Sequence, residues 1–135
     1  MIFADTGYLL ALSQPRDSLH ERSKAWARVV GEPLLVTEYV LWETVNSLSK
    51  LADRPRAHGL VNHVRSASHY EIVAGSAALF DAGLRLQAER PDKEWSLTDC
   101  ISFIVMEQQG IRRALAHDHH FEQAGFEALL RRDPP

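Results

Sequence analysis

An α/β fold is predicted for this chain: a three-layer α/β/α sandwich around a central parallel sheet of four or five strands. Short apolar runs recur along the sequence, and each is too brief for a helix. Between them lie longer segments whose apolar residues return at helical spacing. Such alternation implies parallel strands joined by crossover helices that cover both faces of the sheet. No internal repeat and no Gly/Ser/Pro-rich linker divides the 135 residues, so a single domain over residues 1–135 is expected.

The elements follow in order. "MIFA" reads as a buried strand that ends at Asp5, with a turn at Thr6-Gly7. "SLHERSKAWARVV", after the N-cap candidate Asp17, reads as a helix, "PLLVT" as the second strand, and "EYVLWETVNSLSKL" as a strong helix limited by Pro55. "RAHGLVNHVRSA" is a weaker helix, "YEIVA" the third strand, and "SAALFDAGLRLQAER" a helix stopped by Pro91. "LTDCISFIVMEQQG" opens near Ser96 or Thr98, stops at Gly110 and is apolar on nearly every face, as a centrally packed helix is. "RRALAHD" gives a fourth strand ending at Asp118, "FEQAG" a helical turn, and "FEALL" a short fifth strand.

Composition narrows the class. The chain is 45% apolar and 24% charged, enough to bury a core. No apolar run approaches the roughly 20 residues that span a bilayer. The acid at position 5 and the lack of a basic start argue against a secretory leader. Cys100 is the single cysteine, which suits a reducing compartment, so a cytoplasmic protein is expected, with Cys100 as a small buried hydrophobe. A net charge of −3 excludes a protein that holds nucleic acid by bulk positive charge, while local basic pairs such as Arg54/Arg56, Arg112/Arg113 and Arg131/Arg132 remain.

The acids carry the chemistry. In open parallel sheets, sites form at the carboxyl ends of strands, where strand order reverses. Asp5 follows Ile2-Phe3-Ala4 directly, and Asp118 follows Ala114-Leu115-Ala116 with His117 between. Asp99 sits in the first turn of the central helix, where free N–H groups favour negative charge. Each acid alone has a plainer reading, as the N-cap of the helix it precedes or, for Asp99, as the partner of Ser96 in a capping arrangement. Convergence of all three would need a counter-ion, because two carboxylates about 4 Å apart repel by roughly 4 kcal/mol at an effective dielectric near 20. Carboxylates without organised Cys or His ligands favour Mg²⁺ or Mn²⁺, ions that commonly act on phosphate esters. Metal-dependent phosphodiester chemistry is the function these residues suggest.

The stretches "ADTGYLLAL", "TEYVLWETVNSL", "SLTDCISFIVMEQQGI" and "ALAHDHHFEQAGF" resemble, in order and spacing, a PIN domain, most of all the VapC-type toxins of type II toxin–antitoxin systems. The resemblance runs from Ile2 to about Leu129. It adds Glu43, which helical periodicity alone would leave as a solvent-facing residue. It implies that Asp5, Glu43, Asp99 and Asp118 are the catalytic, metal-binding acids, with Thr6, Asn46 and Thr98 supporting them. It further implies hydrolysis of RNA with Mg²⁺ or Mn²⁺: Asp5 and Asp99 as chief ligands, Glu43 binding the ion or orienting water, Asp118 completing the cluster. A homodimer is expected, and so is a cognate antitoxin whose C-terminal segment blocks the acids with an Arg or Lys.

Two alternatives stay open: a housekeeping PIN nuclease that processes RNA without an antitoxin, and a non-catalytic RNA-binding or interaction module. A receiver-type module would need an Asp ending the third strand, and a haloacid-dehalogenase-type phosphatase an Asp at position 7; "YEIVAGS" and Gly7 exclude both. His117, His119 and His120 flank Asp118 at a consecutive spacing poor for zinc, and read as a polar rim touching RNA phosphate. His58, His63 and His69 read as surface. Trp26 and Trp42, among apolar neighbours, read as core or dimer interface, and Trp95 as the tryptophan to test for RNA contact.

Overall fold

The computed structural model describes residues 1–135. Its strands are β1 (Ile2–Ala4), β2 (Leu34–Thr37), β3 (Tyr70–Val73), β4 (Arg113–Leu115) and β5 (Glu127–Ala128). They form one sheet in the order β3-β2-β1-β4-β5, with every pair parallel. The expected architecture is therefore present, with five strands. β1 and β2 are buried along their whole length, as strands covered on both faces must be. Phe3 pairs with Leu35 on one side and Ala114 on the other, so β1 is central.

The helices are α1 (Thr6–Ser13), α2 (His20–Val29), α3 (Glu38–Ser47), α4 (Arg54–Ser66), α5 (Ala77–Glu89), α6 (Leu97–Gln109) and α7 (His119–Gln123). The turn expected at Thr6-Gly7 is instead the first turn of α1, which begins directly after Asp5. Thr6 and Gly7 need no special dihedrals, and nothing there breaks the helical run of "TGYLLALS". The helix expected to run on towards Pro55 ends at Ser47. Beyond it Ser49 Oγ bonds back to the Asn46 carbonyl, and Pro55 lies in the first turn of α4, where its missing N–H costs nothing. The "FEALL" stretch gives only two residues of strand before a 3-10 turn over Leu129–Arg131.

Three features hold α6 in place. Gly110, at φ 68°, closes its C-terminus in the left-handed conformation glycine permits. Cys100, Ile101, Ser102 and Phe103 are buried in succession, which an amphipathic surface helix cannot achieve. Along α5, Gly83 lets α6 approach closely: a Cβ there would stand 2.6 Å from Ile101 Cγ1 and 3.0 Å from Leu97 Cδ1. His20 ties α2 to α1 through Nδ1, 2.7 Å from the Ala11 carbonyl oxygen. No helix is long and apolar enough to cross a membrane.

Gly83→Ala is expected to destabilise the protein by about 1–3 kcal/mol through overpacking, despite the roughly 1 kcal/mol that alanine gains over glycine in a helix. Urea unfolding of the variant measures it; a midpoint equal to or above wild type would mean that α5 and α6 separate freely at this contact.

Candidate metal centre

Strand order reverses between β1 and β4, and the site forms at that switch point. The Asp5 backbone N–H donates to the Leu115 carbonyl at 3.2 Å, extending the β1–β4 pairing to the acid itself. Asp5 is thereby pinned at the carboxyl end of the central strand, only 8% exposed. It occupies the N-cap position of α1, yet its side chain makes no capping hydrogen bond. The plain capping reading of Asp5 thus lacks its defining contact.

Asp99 arrives differently. Ser96 Oγ accepts from the Asp99 backbone N–H at 3.0 Å, and Asp99 Oδ2 accepts from the Ser96 N–H at 3.2 Å, a complete capping box. The same Oδ2 lies 3.0 Å from His120 Nδ1. Asp118 caps α7: Oδ1 accepts from the His120 N–H at 2.9 Å and lies 3.3 Å from His120 Nδ1. For Asp99 and Asp118, then, capping and cavity lining coexist, because each cap uses one carboxylate oxygen. Glu43 comes from α3, whose start is set by Thr37 at the end of β2, with Thr37 Oγ1 accepting from the Val40 N–H at 3.1 Å.

These four acids line one cavity of about 320 Å³ without a single apolar lining residue. Thr6 lines it too, and its buried hydroxyl oxygen has no hydrogen-bond partner in the protein. Desolvation pushes the Asp5 carboxyl up to about 8; the charges of Asp99, Glu43 and Asp118 push the same way, and the adjacent Thr6 amide offsets part of this. A group in that condition is held neutral unless a cation arrives. Oxygen donors, an unpartnered buried hydroxyl and mutual carboxylate repulsion together fit a hard divalent ion.

Placement of the supporting residues is uneven. Thr6 lies in the cavity, whereas Asn46 and Thr98 line an adjoining groove that shares Glu43 with it. Glu94, which sequence reasoning passed over, is a further acid at the cavity mouth; its run "DKEW" carries no periodic or capping signal. His120 touches both Asp99 and Asp118, a role that consecutive histidines in a sequence do not announce.

Of the tryptophan expectations, that of Trp95 fails. Trp95 is buried; its indole N–H donates to Gln123 Oε1 at 3.0 Å and its ring meets Phe103 edge-on, so it offers no face to a base. Trp42 is 70% exposed, because adjacent helical residues point about 100° apart and Val40, Leu41 and Thr44 take the inner face of α3. Trp26 is core, as expected, and His58, His63 and His69 are exposed.

A family model described as the PIN domain matches residues 2–127. The 23S rRNA-specific endonuclease VapC20 of Mycobacterium tuberculosis, from strains CDC 1551 / Oshkosh and ATCC 25618 / H37Rv, is 31% identical over 128 residues, covering 93% of this chain and 95% of the relative. The crystal structure of Mycobacterium tuberculosis VapC20, described as a Sarcin-Ricin loop cleaving toxin, superimposes with a TM-score of 0.86 at 26% identity over 93% of this chain and 96% of that one. FitAcB from Neisseria gonorrhoeae shares the fold, with a TM-score of 0.65 at 19% identity over 95% of each chain.

The raised Asp5 value sets a pH dependence. An acid that ionises near 4 when unfolded and near 8 when folded retains its proton preferentially in the native state, so in EDTA its contribution to stability is present at low pH and is lost as pH rises from about 4 to about 8. Denaturant titrations at pH 5 and pH 8 should show wild type losing stability over this window and Asp5→Asn losing less. Parallel losses in the two proteins would place the strain elsewhere.

Proposed function

Because the chain belongs to the PIN-domain family, we propose that it is a metal-dependent endoribonuclease of the VapC toxin type. The observation that carries this reading is the apolar-free cavity that Asp5, Glu43, Asp99 and Asp118 line. A divalent cation bound there, Mg²⁺ or Mn²⁺, would supply charge neutralisation at phosphate and lower the pKa of water. The protein's own groups do the rest. Asp5, buried and crowded by like charges, has the most to gain from a cation and anchors it. Asp99 is oriented by the capping box and His120, leaving Oδ1 for the ion. Asp118 completes the cluster with the oxygen not used in capping. Glu43, facing the cavity from α3, orients the attacking water, and the Thr6 hydroxyl gives that water a hydrogen-bond partner. Asn46 and Thr98, in the groove beside Glu43, support the acids.

Ribosomal RNA is the substrate to assay first, since the VapC20 relatives are 23S rRNA-specific endonucleases. Asp5→Asn and Asp99→Asn should each abolish Mg²⁺- or Mn²⁺-dependent cleavage, with EDTA-treated wild type as control. Full activity in both variants would refute the assignment. Millimolar Mg²⁺ should also raise the melting temperature of wild type and do so less in Asp5→Asn, since an ion that binds only the folded chain stabilises it.

The toxin reading includes a homodimer and an antitoxin partner. An apolar surface supports it: Trp42, Phe80 and Leu84 are exposed, and Tyr39, Trp42, Phe80 and Leu97 line the groove between α3, α5 and α6. Light scattering coupled to gel filtration should find a dimer for wild type and a monomer for Trp42→Glu; identical masses would remove this face from the interface.

A further inference from the structure

We propose that Arg16 and Arg56 form an anion site, apart from the acidic cavity, that holds a backbone phosphate of bound RNA; the choice of RNA rests on the nuclease reading above. Gln14, Pro15, Arg16, Asp53 and Arg56 enclose a pocket of about 480 Å³ that has no apolar side in its lining and shares no residue with the acidic cavity. Arg16 is exposed, and neither an ion pair nor a hydrogen bond engages its guanidinium. Arg56 is held loosely: Nη1 stands 3.6 Å from Asp53 Oδ1, too far for a hydrogen bond. Asp53 is the one acid in the lining, against two guanidinium groups, so the pocket is positive in a chain whose net charge is −3. The backbone adds to this. Asp53 occupies the N-cap position of the 13-residue α4 without a side-chain cap, and the Arg56 N–H, in the first turn, donates to no carbonyl. A phosphate oxygen would meet a free amide at the positive end of α4 and planar guanidinium donors beside it.

The two sites are joined by the same helices. α1 begins where Asp5, Thr6 and Gly7 line the acidic cavity and ends at Ser13, directly before the pocket residues Gln14, Pro15 and Arg16. Its eight residues span about 12 Å. α3 carries Glu43 to the cavity, and the turn after it leads to Asp53. α1 packs against both α3 and α4, which closes the pocket. Of the basic pair Arg54/Arg56, one member braces that turn, with Arg54 Nε donating to the Ser49 carbonyl at 2.8 Å, and the other faces the pocket. A strand whose scissile phosphate lies at the acids can therefore place another phosphate between Arg16 and Arg56. An acidic protein that binds a polyanion needs such a local positive point, because its overall charge repels the ligand.

The test reads RNA binding, so its outcome is separate from that of the cleavage assay. A short fluorescein-labelled single-stranded RNA is titrated with full-length Asp5→Asn protein in Mg²⁺, over a series of KCl concentrations, and followed by anisotropy. Adding Arg16→Gln and Arg56→Gln together should weaken binding at least tenfold. It should also flatten the dependence of log K on log salt by about 1.4, from two contacts at roughly 0.7 each. Both arginines are exposed, so the melting temperature should stay as in the parent. Arg28→Gln, exposed in the last turn of α2, removes the same charge away from the pocket and should change affinity less than twofold. Equal affinity with and without the two pocket arginines, an equal loss in Arg28→Gln, or no RNA binding at all would overturn the proposal. Inorganic phosphate, compared with KCl at equal ionic strength, separates the two sources of the anion. A phosphate-induced rise in melting temperature that the arginine substitutions abolish, with RNA affinity unaltered, would give the pocket to a free anion and overturn the RNA assignment. In wild type with intact acids, the same two substitutions should raise KM for RNA cleavage tenfold and leave kcat within twofold. A wild type that binds RNA through these arginines and never cuts it would sink the nuclease reading alone.

Discussion

One constraint organises the molecule: the Asp5 carboxylate is held almost out of water, within the fields of three other acids, by the strand that forms the centre of the sheet. β1 has neighbours on both sides, so Asp5 cannot move outward without breaking its pairing with β4. The core around Ile2, Phe3 and Ala4 stabilises the strand, and the strand imposes the electrostatic cost. Crowded oxygen donors of this kind fit a hard divalent ion, whose arrival would displace the proton from Asp5.

The other acids are held by local devices that serve two purposes. The capping box fixes the start of α6 and aims Asp99; the α7 cap does the same for Asp118. His120 joins the two, so the openings of α6 and α7 are linked across the cavity. A carboxylate has two oxygens, and using one to end a helix leaves the other for chemistry.

Packing behind the site is as demanding as the site itself. The close approach of α6 to Gly83 sets where Asp99 sits, and the aromatic group of Trp95, Phe103, Phe121 and Phe126 lies beneath α6 and α7. Trp95 serves this core, whereas Trp42 stands on the surface and shares a groove with Phe80.

From the sequence alone, the parallel α/β architecture was legible in the alternation of short apolar runs with helical periods, because both patterns are local consequences of burial. Asp5, Asp99 and Asp118 were legible as candidates because strand ends and helix starts are local features too, and the stop at Gly110 was equally plain. Glu43 became visible only through family resemblance, since on its own helix it looks like any solvent-facing acid. Only the tertiary structure decided that the four acids share one cavity, that Asn46 and Thr98 lie in the groove beside it, that Glu94 and His120 join it, and that Trp95 is buried while Trp42 is exposed. Each of these depends on how separate elements meet across the β1–β4 switch point, and contacts between residues distant in the chain leave no periodic trace in it.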